Sequence, residues 1–492
     1  MQDSESCGVH SERWKADHQD EPVTERFLRR PGTCLVLFWV LGIASSIWGR
    51  EAAAGSWPMY NHDARGTRDN SEEHILDRGS VGGLHIKWSF PTIGVVNGTP
   101  VVQGDRVYAG DGTGMFYALD RRGGLRWQTQ LPGIITASAL VIADVVVIGD
   151  LLGNLYGLAQ RDGRVRWVMR PDPHPIASLY GSATEVDGDV VIGVSSNEET
   201  VAVDPLYPCC STRGSVLRID PRTGHVKWQT FMISDDERAG GASGASVWST
   251  PTFDETSGTI YVTTGNNFSE PSTGTSDAVI ALDAATGAFR WVNQRYPDDT
   301  WTMRYPAAPP HPDYDFGDSA QVYQLADGRR VVGAGQKSGF YHVLDADTGE
   351  AIHQVQVEPG GPLGGLFADT AVSHGVVYAN GINWPGGFGT PPVAGDLIAI
   401  AGDGSRELWR FTTPHAPDLS GVATAAGVVY FQSDFAGSLF ALDADSGAVL
   451  AQVAIGGSVS GPSIADGQVY IGIGDTFTVG PTGPGAITAL GL

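Results

Sequence analysis

The segment IDPRTGHVKW (residues 219–228) contains a hydrophobic strand end, a polar turn with glycine, and a second strand that ends in tryptophan. A close variant is ALDAATGAFRW (residues 281–291). Weaker copies lie at residues 118–127, 158–167, 343–353, 400–409 and 441–451. A phrase that recurs at intervals of roughly forty to sixty residues indicates repeated supersecondary units.

Two further short apolar runs precede each copy of the phrase. Before residues 281–291 they are STPTFD (residues 249–254) and IYVTTG (residues 260–265). Runs rich in Val, Ile and Tyr that are punctuated by Gly or Asp predict antiparallel strands joined by tight turns. No apolar run after residue 80 keeps helical spacing over three turns. Four strands per unit around a central axis predict a β-propeller, which limits exposed sheet edges.

The first strands of these units begin near eight positions: Thr99, Ser138, Ser182, Ser249, Asp318, Asp369, Gly421 and Gly461. We therefore predict an all-β fold, an eight-bladed β-propeller of four-stranded antiparallel blades. The last unit ends in ITALGL (residues 487–492) without an outer strand, whereas LHIKWSF (residues 84–90) is an outer strand with no unit before it. We expect this N-terminal strand to close the ring on the last blade. The recurring turn residues and tryptophans are interpreted as scaffold.

The overall charge excludes some classes of partner. The formal net charge is −24, and only 17% of the residues are charged. A strongly acidic chain is unsuited to nucleic acid and to anionic membrane surfaces. The charge suits an exported soluble protein and a cationic protein partner. The 66 glycines of the 492 residues fit a turn-rich β protein.

The N-terminal region predicts export. Residues 34–48 (CLVLFWVLGIASSIW) are apolar and follow three arginines, and small residues come next at Ala52 to Ala54. An apolar run of fifteen residues is short for a membrane span. We interpret residues 1–54 as a secretory signal with an atypical polar leader, and residues 55–492 as a single propeller domain. The predicted location is periplasmic or secreted, without stable membrane insertion; an uncleaved anchor and a start at Val23 remain alternatives.

Cysteine usage after such cleavage is unusual. Removal of Cys7 and Cys34 leaves only Cys209 and Cys210, which are adjacent. In an oxidising compartment, two adjacent thiols can pair only with each other. Neighbouring Cα atoms are about 3.8 Å apart, below the usual disulfide span, so such a bond is strained. Two unpaired core thiols are the alternative.

The unit spacing stretches in the middle of the chain. From Trp127 to Trp167 is 40 residues, whereas Trp167 to Trp228 and Trp228 to Trp291 are 61 and 63 residues. Extra loop length on consecutive blades indicates a site at one face. Four unusual segments fall in this region: SSNEETVAVDPLYPCC with Glu198 and Glu199, ASVWSTPTFD with Trp248, TTGNNFSEP with Asn266 and Asn267, and HPDYDFGDS with Asp313, Asp315 and Asp318.

The residue types in these segments suggest one site. A glutamate, an asparagine and an aspartate from neighbouring blades would offer oxygen ligands of the kind that Ca²⁺ favours. A further aspartate beside the ion could act as a general base, and a tryptophan face would suit a flat aromatic cofactor. Taken singly, an acidic or amide residue in a loop is more often simply solvated.

Together with WPMYNHDARGTRDN (residues 57–70) and GAGQKSGFYHVLD (residues 333–345), these segments resemble pyrroloquinoline quinone-dependent alcohol dehydrogenases. Within that family the chain looks most like polyvinyl alcohol dehydrogenases. The resemblance extends from about Ser56 to the C-terminus. The repeat phrase alone is less specific, because propeller lipoproteins of outer-membrane assembly share it.

The resemblance implies roles for the oxygen-bearing residues. Asp315 corresponds to the catalytic base of the family and also belongs to the implied calcium-binding set. Asn266 corresponds to a calcium ligand. Glu199 corresponds to the carboxylate ligand, with Glu198 as the alternative.

The resemblance also implies contacts with the cofactor, pyrroloquinoline quinone. Trp248 would stack on the quinone plane, and Lys337 would lie beside the quinone oxygens. Cys209 and Cys210 would form a vicinal disulfide over the opposite face of the ring. Arg213 would bind a cofactor carboxylate.

The implied activity is oxidation of a secondary or polymeric alcohol to a ketone or aldehyde, by hydride transfer to the quinone with Ca²⁺ as Lewis acid. The sequence contains no Cys-x-x-Cys-His, so no covalent c-type haem is expected and the electron acceptor would be a separate cytochrome c or similar carrier. The alternatives are a non-catalytic propeller for protein binding or envelope assembly, and a degenerate relative without cofactor.

Overall fold

The computed structural model describes residues 55–492 except residues 306–310, 385, 387–389, 415–418, 435 and 477–479. The predicted signal segment, residues 1–54, lies outside the described residues. The described residues form eight blades of four antiparallel strands, and the predicted all-β, eight-bladed β-propeller is confirmed. Neither α-helix of the described part has the length and hydropathy that a bilayer crossing needs.

Two strands precede the first complete blade, β1 (Asp69–Asn70) and β2 (His85–Thr92), with a 3₁₀ turn between them at Val81–Gly83. Blade 1 contains β3 (Val101–Gln103), β4 (Arg106–Gly110), β5 (Met115–Asp120) and β6 (Leu125–Gln130). Blade 2 contains β7 (Leu140–Ile142), β8 (Val145–Gly149), β9 (Leu155–Ala159) and β10 (Val165–Met169). Blade 3 contains β12 (Thr184–Val186), β13 (Asp189–Ser196), β14 (Ser215–Ile219) and β15 (Val226–Phe231), and the short β11 (Ala177–Ser178) pairs with β13.

Blade 4 contains β17 (Thr252–Asp254), β18 (Thr259–Thr263), β20 (Ala278–Asp283) and β21 (Phe289–Gln294), beside a small pair of strands, β16 (Ser243–Gly244) and β19 (Asn267–Ser269). Blade 5 contains β22 (Gln321–Gln324), β23 (Arg330–Gly335), β24 (Phe340–Asp345) and β25 (Ala351–Gln356). Blade 6 contains β26 (Ala371–Ser373), β27 (Val376–Asn383), β28 (Ala394–Ala401) and β29 (Glu407–Pro414). Blade 7 contains β30 (Ala423–Ala425), β31 (Val428–Ser433), β32 (Ser438–Asp443) and β33 (Val449–Ala454).

Blade 8 combines the two ends of the described chain. It contains β34 (Ser463–Ala465), β35 (Gln468–Ile473) and β36 (Gly485–Gly491), and β2 is its outer strand. β2 runs antiparallel to β36, with His85 opposite Gly491 and Thr92 opposite Gly485. The predicted closure of the ring by the N-terminal strand is therefore confirmed. The helices are α1 (Glu198–Val201) and α2 (Asp235–Ala239), both in connections between strands.

The tryptophans of the repeat join neighbouring blades. Trp127 Nε1 donates to Gln160 O in the turn of blade 2 at 3.0 Å, and Trp167 Nε1 donates to Pro221 O in blade 3 at 2.8 Å. Gly163 in that turn has a φ of +71°, and a Cβ there would overlap the Trp127 ring. The turn needs glycine for both reasons. The recurrence of Gly and Trp in the sequence is thus explained by packing between blades.

The N-terminal segment, residues 57–70, lies inside the ring against the free edges of the inner strands. Its backbone carbonyls accept hydrogen bonds from inner-strand N–H groups in six blades: Trp57 from Val102, Pro58 from Val141, Ala64 from Phe253, Arg65 from Val322, Thr67 from Val372, and Arg68 from Thr424. Edge strands have unpaired backbone groups that must be satisfied. The segment supplies these partners and ties the blades together at the axis.

The antiparallel strands sort the connections onto two faces of the ring. The link from one blade to the next and the connection between second and third strands emerge at the same face, because strand direction alternates. Glu199, Asn266 and Lys337 follow the second strands of blades 3, 4 and 5, and Trp248 and Asp315 lie in links between blades. All five residues are therefore at one face.

Candidate active site

A cavity of about 860 Å³ opens at this face. Its walls include Glu199, Trp248, Asn266, Asp315 and Lys337. These five residues come from five separate connections of the ring. The structure thus brings together the residues that the sequence pattern placed on neighbouring blades.

Asp315 is held close to the backbone of blade 4. The N–H of Asn266 donates to Asp315 Oδ1 at 2.6 Å, and the N–H of Lys337 donates to the Asp315 carbonyl at 3.0 Å. A Cβ at Gly265 would lie 3.0 Å from Cγ and from both carboxylate oxygens of Asp315. A side chain at position 265 would therefore press against this carboxylate and force it to shift.

Lys337 lies between acidic and aromatic groups. Its Nζ is 3.0 Å from Asp313 Oδ1 and 3.4 Å from Asp315 Oδ2. The same Nζ is 5.6 Å from the centroid of the Trp248 ring and 5.9 Å from that of Phe367. A buried ammonium needs such partners, because an unpaired charge in the interior is costly. Lys337 is therefore a buried cation of the cavity wall, which also includes Arg304.

Glu198 and Glu199 have different surroundings although they are adjacent in α1. The carboxylate of Glu198 accepts hydrogen bonds from Tyr207 Oη at 2.7 Å, Ser211 N at 2.8 Å and Thr212 N at 2.7 Å. Glu198 is fully buried and holds the loop that follows α1. Glu199 faces the cavity. The geometry favours Glu199 over Glu198 as a ligand.

The amide of Asn266 is oriented by two carbonyl groups. Its Nδ2 donates to Asn267 O and to Trp301 O, both at 2.7 Å. Its Oδ1 is fully buried and has no hydrogen-bond partner among the described residues. A buried acceptor left without a partner fits a bound cation, and an amide oxygen is a ligand that Ca²⁺ accepts. The described part of the chain contains no metal site built from three or more His, Cys, Asp or Glu side chains. The candidate ligand set consists of two carboxylates, Glu199 and Asp315, and this amide.

Burial and mutual repulsion raise the pKa values of the acidic groups at the cavity. Burial raises the pKa of Glu199 to about 7, and the neighbouring Asp315 and Asp299 add to this, while Lys337 opposes it. Burial likewise raises the pKa of Asp313 well above its usual value, with Lys337 opposing. Such shifts are common where a site concentrates negative charge. A cation would be attracted to this cavity.

Two more carboxylates lie behind the cavity wall. Burial raises the pKa of Asp299 to about 6 and the pKa of Asp277 well above its usual value. Burial alone would lower the pKa of Lys337, but Asp313, Asp315 and Glu199 outweigh it and raise that pKa. Lys337 therefore stays protonated and positively charged beside the carboxyl groups of Asp313, Asp315 and Glu199.

Cys209, Cys210 and Arg213 do not line the cavity. The sulfur atoms of Cys209 and Cys210 lie next to each other, and both residues are half-buried. The guanidinium of Arg213 stacks on Phe231 at 3.8 Å and pairs with Asp235 at 2.7 Å. The structure leaves these three residues outside the group that surrounds the cavity, so their cofactor contacts stay a prediction.

Sequence reasoning gave no role to Asp299 or Asp313. Asp299 is fully buried and its Oδ2 accepts the N–H of Tyr314 at 2.8 Å. Its signal in the sequence is the Asp298–Asp299 pair within a long link between blades. Asp318, which that reasoning noted, holds the scaffold: its carboxylate accepts from Gly335 N at 2.8 Å and from Thr370 N at 3.0 Å.

The cavity appears where the usual turn residue is missing. After the second strands of blades 1 and 2, Asp111 and Asp150 accept backbone N–H groups of their own turns. The equivalent positions of blades 4 and 5 hold Thr264 and Gln336, whose N–H groups donate to Ala278 O and Phe340 O as those of Asp111 and Asp150 donate to Met115 O and Asn154 O. Asn266 and Lys337 lie shortly after these two positions and line the cavity.

Known proteins share this architecture and sequence. Residues 75–269 match the family model described as outer membrane protein assembly factor BamB. The chain is 29% identical to a polyvinylalcohol dehydrogenase of Pseudomonas sp, over 80% of this chain and 70% of that protein. It is also 29% identical to a polyvinylalcohol dehydrogenase of Sphingopyxis sp. (strain 113P3), over 85% of this chain and 72% of that protein.

A solved structure shows the same fold. The quinohemoprotein alcohol dehydrogenase from Comamonas testosteroni superposes with a TM-score of 0.74 at 21% identity, covering 89% of this chain and 80% of that chain. The resemblance to quinoprotein alcohol dehydrogenases that the sequence predicts is therefore confirmed, and polyvinylalcohol dehydrogenases are among the relatives that match over most of the chain.

Proposed function

We propose that this protein is a quinoprotein dehydrogenase that oxidises an alcohol, secondary or polymeric, to a ketone or aldehyde. The observation that carries the proposal is the meeting of Glu199, Asn266, Asp315 and Lys337 in one cavity, beside the Trp248 ring. The similarity to named alcohol dehydrogenases over most of the chain supports it.

The residues present fit the implied groups. Glu199, Asn266 and Asp315 would hold Ca²⁺, since the Asn266 oxygen has no other described partner. Trp248 offers an aromatic wall for a planar ring, and Lys337 offers a cation for its oxygens. When bound, pyrroloquinoline quinone with Ca²⁺ supplies the hydride acceptor and the Lewis acid.

The remaining chemistry belongs to the chain itself. Asp315 would take the hydroxyl proton of the alcohol at a carboxylate oxygen. The Asn266 N–H and Lys337 hold that carboxylate in place, at 2.6 and 3.4 Å. Apolar side chains lining the cavity, among them Phe268, Trp301 and Leu363, would exclude water around the reacting carbon.

The proposal includes export and a separate electron acceptor. The apolar run at residues 34–48 and the −24 net charge support a periplasmic or secreted location and a cationic redox partner such as a cytochrome c. In that compartment Cys209 and Cys210 would be joined as a disulfide.

The test adds pyrroloquinoline quinone and Ca²⁺ to the purified apo-protein. Binding is followed by the quinone absorption spectrum, and turnover by dye reduction with secondary alcohols and with polyvinyl alcohol. We expect a stoichiometric complex and alcohol-dependent reduction. A protein that binds neither group would contradict the proposal.

A second candidate is a non-catalytic propeller for envelope assembly. The match of residues 75–269 to the assembly-factor family model favours it. It requires no quinone binding and no charged cavity. The same titration separates the two functions, because only the dehydrogenase forms the quinone complex.

A further inference from the structure

Residues 299–305, here called the bridging segment, lie in the link between blades 4 and 5. The bridging segment is neither helix nor strand. It nevertheless contacts the connections that carry all three proposed calcium ligands, which belong to different parts of the ring. These contacts are hydrogen bonds with defined partners, so each can be examined in turn.

The first contact orients Asn266. Asn267 N donates to Asp299 O at 3.1 Å, and Trp301 N donates to Asn267 O at 2.9 Å. Asn266 Nδ2 donates to Trp301 O at 2.7 Å. An amide oxygen in that position would face a carbonyl oxygen, so the nitrogen must occupy it. The bridging segment thereby leaves the Asn266 oxygen as the free end of the amide.

The second contact positions the loop of Asp315. Asp299 Oδ2 accepts the N–H of Tyr314 at 2.8 Å. Tyr314 directly precedes Asp315, whose own carboxylate accepts the N–H of Asn266. The side chain of Asp299 therefore acts on the base through the backbone and does not line the cavity.

The third contact holds the helix of Glu199. Met303 N donates to Glu199 O at 3.2 Å. Arg304 Nε donates to Ala202 O at 2.8 Å, and its Nη2 donates to Asp204 O and Tyr207 O, both at 3.1 Å. A helix of four residues has little stability of its own. The guanidinium adds a donor to the end of α1 and to its following loop, where Asp204 O and Tyr207 O also accept backbone N–H groups.

We propose that the bridging segment aligns the three ligands, and that Arg304 and Asp299 are positioning residues for the metal site. This inference rests on the proposed function. Groups that orient metal ligands typically change metal affinity by about 10- to 100-fold when they are removed.

Arg304→Ala tests the arm that holds Glu199. Calcium affinity is measured by titrating apo-protein with Ca²⁺ and following intrinsic tryptophan fluorescence. We expect about tenfold or greater weakening in Arg304→Ala and an intermediate loss in Arg304→Lys, because lysine can make only part of the three bonds.

Arg218→Ala is the matched control. Arg218 also joins neighbouring blades through backbone carbonyls, donating to Ala284 O at 2.8 Å and Val186 O at 3.2 Å, but it lies away from the cavity. We expect it to lower thermal stability without changing calcium affinity. Equal weakening in both variants would show a merely structural effect and overturn the proposal, as would unchanged affinity in Arg304→Ala.

Asp299 gives an independent variant pair. Asp299→Ala removes the acceptor for Tyr314 N, whereas Asp299→Asn keeps a carbonyl oxygen that can accept it. A positioning role predicts a smaller loss of calcium affinity in Asp299→Asn than in Asp299→Ala. Equal losses would attribute the effect to charge alone and contradict the role of Asp299.

Amide hydrogen exchange tests the bridging segment without any ligand. In Arg304→Ala, exchange should increase in a peptide covering residues 198–207 and stay unchanged in one covering residues 226–231. If the wild-type protein binds neither Ca²⁺ nor quinone, the proposed function fails, and exchange still decides the positioning role. Unchanged exchange at residues 198–207 would overturn that role.

Discussion

Asn266 and Asp315 are joined by a hydrogen bond of 2.6 Å from the backbone N–H of Asn266 to Oδ1 of the aspartate. The two residues lie 49 positions apart, one after the second strand of blade 4 and the other in the link to blade 5. The bond fixes the position of the Asp315 carboxylate. Lys337 Nζ lies 3.4 Å from its other oxygen, Oδ2. The proposed base and a proposed calcium ligand are thus held together by one hydrogen bond.

Asp315→Asn should abolish most turnover and leave the cofactor bound. The amide keeps an oxygen that can accept from Asn266 N, but it cannot take a proton from the alcohol. Loss of a general base lowers the rate by about 10²- to 10⁴-fold. Steady-state dye reduction measures turnover, and the quinone spectrum measures occupancy. Near wild-type turnover would show that another group is the base.

Gly265→Ala should impair catalysis without unfolding the protein. The new Cβ would lie 3.0 Å from the Asp315 carboxylate and would push it from its position. A displacement of about 1 Å at a reacting group can cost about 100-fold in rate. We expect kcat to fall at least tenfold by this argument, with circular dichroism unchanged.

Gly274→Ala is the control for that substitution, because a Cβ there meets no atom within 4 Å and it lies in the same connection of blade 4. Full activity in Gly265→Ala would mean that the Asp315 carboxylate can move without consequence, and that it is not the base.

Glu199→Gln should weaken Ca²⁺ binding, whereas Glu198→Gln should lower thermal stability. Glu198 accepts four hydrogen bonds from donors in the following loop, so its neutral amide should lower thermal stability. Glu199 faces the cavity, so its replacement should weaken Ca²⁺ binding instead. A ligand at about 100 times its Kd stabilises a protein by about 2.7 kcal/mol.

Thermal unfolding with and without Ca²⁺ and quinone distinguishes the effect of Glu199→Gln from that of Glu198→Gln. The ligand-induced rise in Tm should disappear in Glu199→Gln and persist, from a lower baseline, in Glu198→Gln. The reverse pattern would assign the ligand role to Glu198.

Glu358 should make stability fall as pH rises. Burial and the nearby Asp396 raise the pKa of Glu358 from 4.5 to about 8, although Arg410 opposes this. The folded protein therefore keeps a proton that the unfolded chain has lost, and stability decreases from about pH 4.5 to about pH 8. Glu358→Gln cannot lose that proton, so its Tm should decline less over this range, by about 1–3 °C.

Differential scanning calorimetry at pH 5 to pH 9 checks this slope. Glu350→Gln, on the exposed turn of blade 5, serves as the control and should follow the wild type. An identical slope in Glu358→Gln and wild type would contradict the assignment.

Strand positions and ring closure could be predicted because their causes are local. The first strands begin two or three residues after the expected positions, since the leading residues, such as Ser249 and Asp318, form connections instead. Val, Ile and Tyr runs with turn glycines encode each hairpin on their own. The outer-strand phrase at residues 84–90 marked the closing strand for the same reason.

The site could be predicted only in part. Glu199, Trp248, Asn266 and Asp315 line one cavity, as the unusual segments suggested, and Lys337, which the family resemblance implied, lines it too. Arg213, Cys209 and Cys210 do not, because α2 and the Glu198 loop hold them elsewhere. Asp299 carried no motif; its role depends on hydrogen bonds with Asn267 and Tyr314, which no spacing in the sequence reveals.

The repeat by itself determined the number of blades, their strand order and the closure of the ring, because each unit folds from contacts between neighbours in sequence. Tertiary structure alone decided which of Glu198 and Glu199 faces the cavity, and which link contacts the connections of the proposed ligands. The reason is that these residues lie in five connections, up to 138 residues apart from Glu199 to Lys337, which meet only when blades 3, 4 and 5 pack side by side.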